Sequence, residues 1–588
     1  MKKITLLLFS LLCLLLPAAS AEGDPRTVLY PEMTAAELTR LLGSGANLGN
    51  TLEACDANRG RFSEVPTAYE ILWGQPVTTP EMLTALKAAG FDTLRVPVAW
   101  MTNGTRLSQG DYTIDEAWMA RVQQVVDDAL DAGLFVILND HWDGGWYGMF
   151  GSDTRETRDL AMAAYRSMWD QIARRFADYG DRLIFEGANE EIGARFDEDS
   201  RLYCEDSMAH ILPDSQRYEL ANRVNQAFVD TVRAAGGNNA GRFLLIPGYG
   251  TNIAQTCDTR FKMPADAAAD RLLISVHYYD PWSYCGAANA ATATRWGTKK
   301  DLEAMNKALS QMQRFTSQGY GVVIGEYGAL PGPDGKMKDN ALLYHQNFME
   351  NCRLYGYCGC LWDTSGFFVR RELAFSDADM AALYDSLRYD PAAENVPKAA
   401  RAALDANLVA APETFLENAI ELTDDTCVAW IMWNSGDWAQ SYSVGDTYTP
   451  DAVSPGLKVT DAVIEGPGTY TVALDFTGTD KGYSNSTAFS AIGIANGETL
   501  HPTWCVHITE CLINGEPYTF KGRPYTTSDD GKCSRVNLFN EWVTGVPADA
   551  RVLYGPPIGV SPVLIDRNDP VISHIETISI TFLYEERK

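Results

Sequence analysis

The chain has 588 residues, of which 46% are hydrophobic and 21% are charged, a composition typical of globular proteins. Its 77 acidic and 48 basic side chains give a formal net charge of −29. This charge argues against a nucleic-acid partner and against docking on an anionic membrane, since both are bound by clustered Lys and Arg. The length suggests about two to four domains.

The first 21 residues have the pattern of a signal peptide. Lys2 and Lys3 precede an apolar run from Ile4 to Leu16, and Ala19-Ser20-Ala21 is a typical cleavage site. The apolar run is shorter than the roughly 20 residues that span a bilayer, and no later segment could span one. We therefore expect a secreted protein, extracellular, at the cell surface or in the periplasm. Its net charge would be −31, because cleavage removes two lysines and no acid.

The cysteines and histidines do not indicate a metal site. Eleven of the twelve cysteines would remain after cleavage, so at least one is unpaired within the chain. Export permits disulfides, but a chain of this length can build its core without them. Cys358 and Cys360 lie beside a predicted strand, which favours core packing, and the seven histidines include no H-E-x-x-H motif. We predict no metal and no organic cofactor.

From about residue 35 to 405, short apolar runs alternate with longer helical stretches. Most of the runs are continuous, as in parallel strands that are buried on both faces. Eight strand–helix units in roughly 370 residues favour a (β/α)8 TIM barrel with insertions. An open doubly wound sheet is less favoured, because no G-x-G-x-x-G turn follows a strand. The predicted strands are Ala46–Thr51, Thr93–Val98, Phe135–Asp140, Leu183–Glu190, Phe243–Gly248, Leu273–Tyr279, Val322–Gly328 and Gly359–Thr364.

The pattern changes after the barrel region. The stretch Pro391–Pro412 is rich in Ala and Pro and is interpreted as a connector. Beyond it, short alternating strands with Gly, Pro and Asp-Gly turns predict an antiparallel β-sandwich, and Asn514-Gly515 is a strong hairpin signal. The alternating positions are Tyr470, Val472, Leu474 and Phe476, and Ile578, Ile580, Phe582 and Tyr584. The predicted domains are a signal peptide at 1–21, a catalytic barrel at 22–405, a connector at 406–414 and a sandwich at 415–588.

Two glutamates stand out among the residues at predicted strand ends, where the active site of a barrel lies. Glu190 and Glu326 end the fourth and seventh predicted strands, which lie roughly across a barrel from each other. Glycoside hydrolysis requires such a pair, one as a protonated acid beside the leaving oxygen and the other as an ionised group below the anomeric carbon. A single strand-end Glu is more often an ion-pair partner, but two indicate a glycosidase. The other residues at strand ends are Asn50, Arg95, His141, Asn189, His277, Tyr279 and Trp362.

Eight segments, seven of which contain these residues, resemble glycoside hydrolase family 5, the family of cellulases, mannanases and related β-glycanases. They follow one another in family order and cover most of residues 40–370. The resemblance implies a retaining double displacement. The segments are ANLGNTLEA (46–54), WGQPVTTPEML (73–83), GFDTLRVPVAW (90–100), VILNDHWDGGW (136–146), RLIFEGANE (182–190), ISVHYYDPW (274–282), VVIGEYGA (322–329) and LWDTSG (361–366).

The resemblance also implies a role for each residue around the scissile bond. Glu190 resembles the general acid/base and Glu326 the nucleophile. Arg95 would hold the nucleophile ionised, because a nearby cation favours a charged carboxylate. Tyr279 would donate a hydrogen bond to the nucleophile, and His277 would contact and orient the acid/base.

Further residues are expected to contact the sugar. Asn189 resembles the partner near the 2-hydroxyl, and His141 would bind a hydroxyl in the central subsite. Trp362 would stack under that sugar, while a core aromatic is the alternative reading of this side chain. Trp146 is predicted as a subsite aromatic and Asn50 as a substrate-binding residue.

Two departures from the family pattern concern the acid/base and the third strand. Family members usually have Asn-Glu-Pro where this chain has Asn-Glu-Glu, so Glu191 and Glu186 add acidic groups near Glu190. If close enough, they would favour protonated Glu190, and Glu191→Gln should then move the basic limb of the pH–rate profile to lower pH. The second departure is His141-Trp142 after the third strand, where many relatives have His-His, although some related cellulases share the His-Trp pair. Asp140 beside His141 is also less usual, and would either orient the imidazole or point into the barrel.

The first and second segments resemble the endoglucanase branch more than the mannanase branch. We therefore expect a monomeric, secreted endo-β-1,4-glucanase that acts on cellulose, mixed-linkage glucan or xyloglucan. A mannanase or xylanase is the alternative within the family. The alternative from another class is a non-catalytic glycan-binding surface protein, which retention of the acidic pair disfavours.

The C-terminal region has five tryptophans whose role the sequence leaves open between core packing and glycan binding. A planar row of exposed rings would bind glucan by stacking. The acidic stretches Asp529-Asp530-Gly531 and Asp566–Asp569 could hold calcium, but turns explain both. The insertion Glu191–Arg217, with Cys204 and His210, could shape the leaving-group side. The tryptophans are Trp430, Trp433, Trp438, Trp504 and Trp542.

Overall fold

The computed structural model describes residues 24–198, 212–286, 295–332, 336–390, 392–412 and 415–588, apart from 416–419, 421, 437–439, 446, 451–452, 455, 486 and 529–530. Eight parallel strands close into a barrel in the order β1 to β8, which confirms the predicted TIM barrel. The predicted signal peptide, Cys204, His210, Trp438 and the Asp529-Asp530 pair lie outside the described residues. The strands are β1 Ser44–Asn47, β2 Thr93–Val96, β3 Phe135–Asn139, β4 Leu183–Glu186, β5 Leu244–Asn252, β6 Leu272–Tyr278, β7 Gly321–Tyr327 and β8 Cys358–Leu361.

The fourth strand is shorter than predicted, and this changes where Glu190 lies. β4 ends at Glu186, so Glu190 lies four residues beyond the strand in a turn, whereas Glu326 lies inside β7. The reason is visible at Gly187, whose carbonyl oxygen accepts hydrogen bonds from side chains. The Tyr165 hydroxyl and the Trp169 indole nitrogen donate to it at 2.8 and 3.1 Å.

The helices between the strands follow the apolar periodicity of the sequence. The helix predicted at Pro80–Ala89 covers Pro80–Ala88, and the Thr79 hydroxyl caps it by accepting from the N–H of Met82. The helices are α1 Ala35–Leu41, α2 Thr67–Glu70, α3 Pro80–Ala88, α4 Trp100–Gly104, α5 Glu116–Asp131, α6 Arg155–Arg175, α7 Asp214–Ala234, α8 Ile253–Thr256, α9 Trp282–Cys285, α10 Lys299–Ser310, α11 Gln313–Thr316, α12 Ala341–Tyr355, α13 Ala378–Ser386 and α14 Val396–Ala410. A two-stranded hairpin, β9 Phe368–Val369 and β10 Ala374–Phe375, follows β8.

The connector interpretation is wrong for most of its length. Val396–Ala410 is the helix α14, with Pro397 in its first turn, a position that tolerates proline. Ala400 and Leu404 are buried, and the Asn407 amide donates to Oδ1 of Asn347 on α12. Alanine favours helix, so the Ala-rich composition that indicated a linker builds the last helix of the barrel region.

The C-terminal region has two antiparallel sheets, as predicted for a β-sandwich. One has the order β12-β11-β16-β20-β19, with β14 paired to β11, and the other has the order β13-β15-β21-β17-β18. One short helix, α15 Gly497–Leu500, precedes β17. The strands are β11 Cys427–Ser435, β12 Ser441–Tyr442, β13 Lys458–Thr460, β14 Ala462–Ile464, β15 Gly468–Asp475, β16 Thr487–Ala495, β17 Trp504–Ile513, β18 Glu516–Pro517, β19 Thr527–Ser528, β20 Ser534–Asn540 and β21 Thr577–Glu586.

The alternating residues predicted for this domain lie on inward faces. All four of the alternating residues at 578–584 are fully buried, as are Val472 and Phe476, whereas Tyr470 is half-buried. Asn514 and Gly515 both have positive φ and join β17 to β18, which confirms the predicted hairpin turn. Among the described residues, no helix is both long and apolar enough to cross a membrane.

Candidate active site

On the β2–β5 side of the barrel, a buried ion pair supports the turn that carries Glu190. Arg95 on β2 donates from Nε to Oε2 of Glu186 at 2.7 Å, and both side chains are fully buried. Nη2 of Arg95 also donates to Oδ1 of Asn189 at 2.7 Å. Glu186 further accepts from the Asn139 amide at 3.1 Å. Glu186 therefore neutralises Arg95, and is not the free neighbour of Glu190 that the sequence suggested.

Glu190 is half-buried and has a cationic neighbour that sequence reasoning missed. Nη2 of Arg195 lies 3.3 Å from Oε2 of Glu190, and Nη1 of Arg195 donates to Glu198 at 2.9 Å. Arg195 lies on a 3-10 helix, Ala194–Asp197, directly after the turn. A cation at this distance favours the ionised form of Glu190.

Removal of Arg195 should therefore extend the protonated form of Glu190 to higher pH. We expect the basic limb of the pH–rate profile to move to higher pH in Arg195→Gln, because the pairing cation is lost. Profiles of kcat/KM for the variant and the parent measure the shift. Arg174→Gln, which loses an exposed pair with Asp170 on α6, is the control, and an identical limb in all three proteins would contradict the pairing.

Glu191 is buried beside the acid/base, and its role differs from the one the sequence suggested. Its Oε2 accepts from the backbone N–H of Asn189 at 2.9 Å. Burial raises the pKa of Glu191 to about 8, and Arg195 offsets only part of this effect. Glu191 is consequently neutral at pH 7. We therefore expect Glu191→Gln to leave the basic limb unchanged below pH 8, not to shift it as first predicted.

The same burial makes protein stability depend on pH through Glu191. An unfolded glutamate ionises near its ordinary pKa of 4.5, whereas the folded one has a pKa of about 8. The stabilisation is fully present below the unfolded pKa and is lost as pH rises through the folded pKa, at about 1.4 kcal/mol per pH unit between them. The free energy of unfolding, measured in urea between pH 5 and 8, should change less with pH in Glu191→Gln than in the parent or in the exposed control Glu81→Gln. Parallel curves would contradict it.

On the side formed by β1 and β6–β8, Glu326 contacts His277 on β6 and Tyr279, the residue after β6. The Tyr279 hydroxyl donates to Oε2 of Glu326 at 3.0 Å, as predicted. Nδ1 of His277 lies 3.6 Å from the same oxygen. Both His277 and Glu326 are more than nine-tenths buried. These contacts fix the direction of one carboxylate oxygen of Glu326.

The two predicted acids come together with His277. One carboxylate oxygen of Glu190, one of Glu326 and one ring nitrogen of His277 all lie within 4.8 Å of one another. Among the described residues, these three also form the cluster of acidic, His or Cys side chains whose ligand atoms lie close enough together to hold a cation. Two carboxylates this close can both reach one glycosidic bond, as glycoside hydrolysis requires.

The prediction that Trp146 forms a sugar subsite is wrong. Trp146 is fully buried at the start of a 3-10 helix, and its ring packs against Tyr147 and Phe150 with centroids 4.3 and 6.0 Å away. An aromatic platform must expose one face to the sugar, which a fully buried ring does not.

Exposed tryptophans elsewhere on the barrel are better candidates for sugar contacts. Trp73 is 37% exposed and lies 6.3 Å, centroid to centroid, from half-buried Trp142. Trp282 is 55% exposed and meets the ring of Tyr279 edge-on at 6.0 Å. All three tryptophans lie in the segments that resemble family 5, so their positions could be identified from the sequence. Which of the rings are buried and which are exposed could be seen only in the structure.

The remaining predicted residues lie at or beyond strand ends. His141 follows β3, with Nδ1 3.4 Å from the Asn139 amide. Trp362 follows β8 and is half-buried, and its backbone N–H donates to the Tyr327 carbonyl oxygen. Asn50 is half-buried with φ of 58°, and its N–H donates to Glu53. Their roles in substrate binding remain predictions.

Asn47 and Asp140 add structural detail that the sequence did not resolve. The Asn47 amide donates to the carbonyl oxygens of Gly325 and Leu361 at 2.9 and 3.2 Å, and so ties β1 to the backbone before Glu326 and to β8. Asp140 is fully buried and accepts from the Tyr147 hydroxyl at 2.9 Å. Burial, and then the neighbouring Asp143, raise the pKa of Asp140 well above its usual range.

Comparison with known proteins places this site in a family. The family model described as Cellulase (glycosyl hydrolase family 5) matches residues 55–366, more than half of the chain. The chain belongs to glycosyl hydrolase family 5. It is therefore a glycoside hydrolase, and the resemblance noted in the sequence is confirmed. The match ends before α14 and the C-terminal sandwich, which it leaves undescribed.

Individual relatives agree with this family assignment. The chain is 35% identical over 364 residues to endoglucanase A of Paenibacillus barcinonensis, covering 57% of this chain and 83% of the relative. It is 37% identical over 350 residues to a xyloglucan-specific endo-beta-1,4-glucanase of Bacteroides ovatus, covering 57% and 65%.

Solved structures give the same fold. The Bacteroides ovatus GH5 xyloglucanase in complex with a XXXG heptasaccharide has a TM-score of 0.52 at 30% identity, covering 63% of this chain and 80% of that one. The GH5-4 broad specificity endoglucanase from Ruminococcus champanellensis with bound cellotriose has a TM-score of 0.52 at 31% identity, covering 61% and 99%.

Proposed function

We propose that this glycosyl hydrolase is a retaining endo-β-1,4-glucanase that cleaves neutral β-glucan by double displacement. The observation that carries the proposal is that one carboxylate oxygen of Glu190 lies within 4.8 Å of one of Glu326, with Tyr279 and His277 in contact with Glu326. The family members named above as endoglucanases support the substrate class. The signal-peptide pattern at residues 1–21 supports action outside the cytoplasm.

In the first step, Glu326 acts as the nucleophile. One carboxylate oxygen of Glu326 forms a bond to the anomeric carbon while the glycosidic C–O bond breaks, and Glu190 gives its proton to the leaving oxygen. Tyr279 directs the nucleophile through its 3.0 Å hydrogen bond. The product is a glycosyl ester on Glu326 and a shortened glucan chain.

In the second step, Glu190 acts as a base. It takes a proton from a water molecule, whose oxygen attacks the same carbon and releases Glu326 as a carboxylate. Charge coupling between the acids drives this exchange of roles. Ionised Glu326 favours protonated Glu190 before the first step, and esterification removes that negative charge, so that Arg195 then favours ionised Glu190.

A substrate panel with product analysis tests the proposal. Barley β-glucan, carboxymethylcellulose, xyloglucan, mannan and xylan would be compared by reducing ends, viscosity and product size. We expect cleavage of the β-glucans, an early fall in viscosity from internal cuts, and first products in the β configuration by NMR. Cleavage of mannan or xylan alone, or first products in the α configuration, would contradict the proposal.

A further inference from the structure

An amide-rich patch on the C-terminal domain is built from three neighbouring strands. Asn434 on β11 pairs with Phe489 on β16, and Phe489 pairs with Asn540 on β20. Residues directly opposite in adjacent strands project from the same face of a sheet. Asn537 shares this face, since the Asn540 amide donates to its Oδ1 at 3.3 Å. The four side chains form one patch, called here the amide patch.

The amide patch faces away from the second sheet of the sandwich. Trp433, which precedes Asn434 and so projects from the opposite face, packs its ring against Phe476 next to β15, with centroids 5.1 Å apart. Further along the outer face, Trp430 is covered by Tyr448 and donates to the Ser443 carbonyl at 2.8 Å. The part of the outer face around Trp430 is therefore covered and belongs to the core, whereas the amide patch lies where β11 and β20 end.

The amide patch differs from the neighbouring core in its buried amide groups, although its member Phe489 belongs to the hydrophobic core of the domain. Its four side chains are each 6 to 8% exposed, so each is more than nine-tenths buried. Within the described part of the domain, Oδ1 of Asn434 has no hydrogen-bond donor although it is buried. A buried acceptor without a partner costs free energy that a ligand donor would restore.

An exposed aromatic ring adjoins the amide patch. Trp542 follows β20, and its backbone N–H donates to Oδ1 of Asn540 at 3.1 Å. It is 57% exposed. Amide groups both donate and accept hydrogen bonds, as sugar hydroxyls do, and an indole face packs well on sugar C–H groups. The four members carry no charge, and the Arg535 guanidinium lies 5.5 Å from the centroid of the Phe489 ring.

We propose that the amide patch and Trp542 bind a neutral β-linked glucan chain at a site separate from the barrel cleft. The choice of glucan as the ligand rests on the proposed function, whereas the existence of a site rests on the patch itself. Such a site would hold the enzyme on a polymer while the barrel cleaves it. It adds nothing on a short soluble substrate.

Equilibrium dialysis against cellohexaose tests the proposal, with full-length Glu326→Gln protein so that the ligand is not cleaved. We expect two bound molecules per chain in this parent, and one after a further Trp542→Ala or Asn434→Ala, with at least a tenfold loss of affinity at the lost site. Tyr554→Ala is the matched control. Tyr554 is 46% exposed and follows Arg551 by three residues in the chain. Arg551 pairs with Thr526, next to the strand β19 that pairs with the start of β20.

The outcomes separate this proposal from the proposed function. One bound molecule in the parent, unchanged by Trp542→Ala, would overturn the second site. One bound molecule that Trp542→Ala abolishes would support the second site and contradict glucan binding by the barrel. Melting temperatures show whether Asn434→Ala folds. Because the Trp542 side chain is exposed, we expect Trp542→Ala to fold like the parent. With Glu326 restored, Trp542→Ala should cleave cellohexaose at the parental rate.

Discussion

Replacement of Glu326 by Gln should remove nearly all turnover. We expect kcat to fall by at least about 10³-fold, because an amide oxygen is too weak a nucleophile to form the glycosyl ester. Substrate binding should change little, since Gln has the same shape and its carbonyl oxygen can still accept from the Tyr279 hydroxyl. Reducing-end release from barley β-glucan measures the loss.

The matched control is Glu350→Gln. Glu350 on α12 is also more than nine-tenths buried and pairs with Arg353 at 3.3 Å, so this variant loses a buried negative charge away from the cleft. It should retain parental kcat. A Glu326→Gln protein that is folded and as active as Glu350→Gln would contradict the nucleophile assignment.

Azide distinguishes the roles of the two acids. With an activated aryl β-cellobioside, azide should restore activity to Glu326→Gly and give the α-azide, because it attacks from the face vacated by the nucleophile. It should accelerate Glu190→Ala and give the β-azide, because it displaces Glu326 from the glycosyl ester. Exchange of these two products between the variants would reverse the assigned roles.

Loss of Arg95 should be the most destabilising single change near the site. Arg95→Met leaves Glu186 fully buried without its ion-pair partner, and breaking a buried pair costs about 3 to 5 kcal/mol. Urea unfolding monitored by tryptophan fluorescence measures the change. The conservative Arg95→Lys should recover part of the stability but not the second hydrogen bond, to Asn189.

A double variant separates the structural and positioning roles of Arg95. Arg95→Met with Glu186→Gln removes both charges, so stability should return towards that of the parent. Activity should remain low, because Asn189 still lacks the hydrogen bond that fixes the turn before Glu190. Parental activity in the stable double variant would show that Arg95 acts only on folding.

Much of the fold follows from local patterns in the sequence. The eight apolar runs predict the barrel strands because parallel strands buried on both faces need continuous apolar side chains. The register of alternation at 470–476 and 578–584 likewise predicts inward faces of the sandwich. The prediction of a connector was wrong at α14, because alanine and proline suit a linker and also suit a helix whose buried face is narrow.

The residue types of the active site were also predictable, since two glutamates in strand-end motifs already indicate glycoside hydrolysis. The sequence by itself thus determined the family, the barrel and the identity of the acidic pair. Only the tertiary structure decided which groups surround that pair. Burial makes Glu191 neutral at pH 7, Glu186 pairs with Arg95, Arg195 reaches Glu190, and Trp146 is enclosed. Charge state and exposure depend on atoms distant in the chain, and no local pattern in the sequence records those distances.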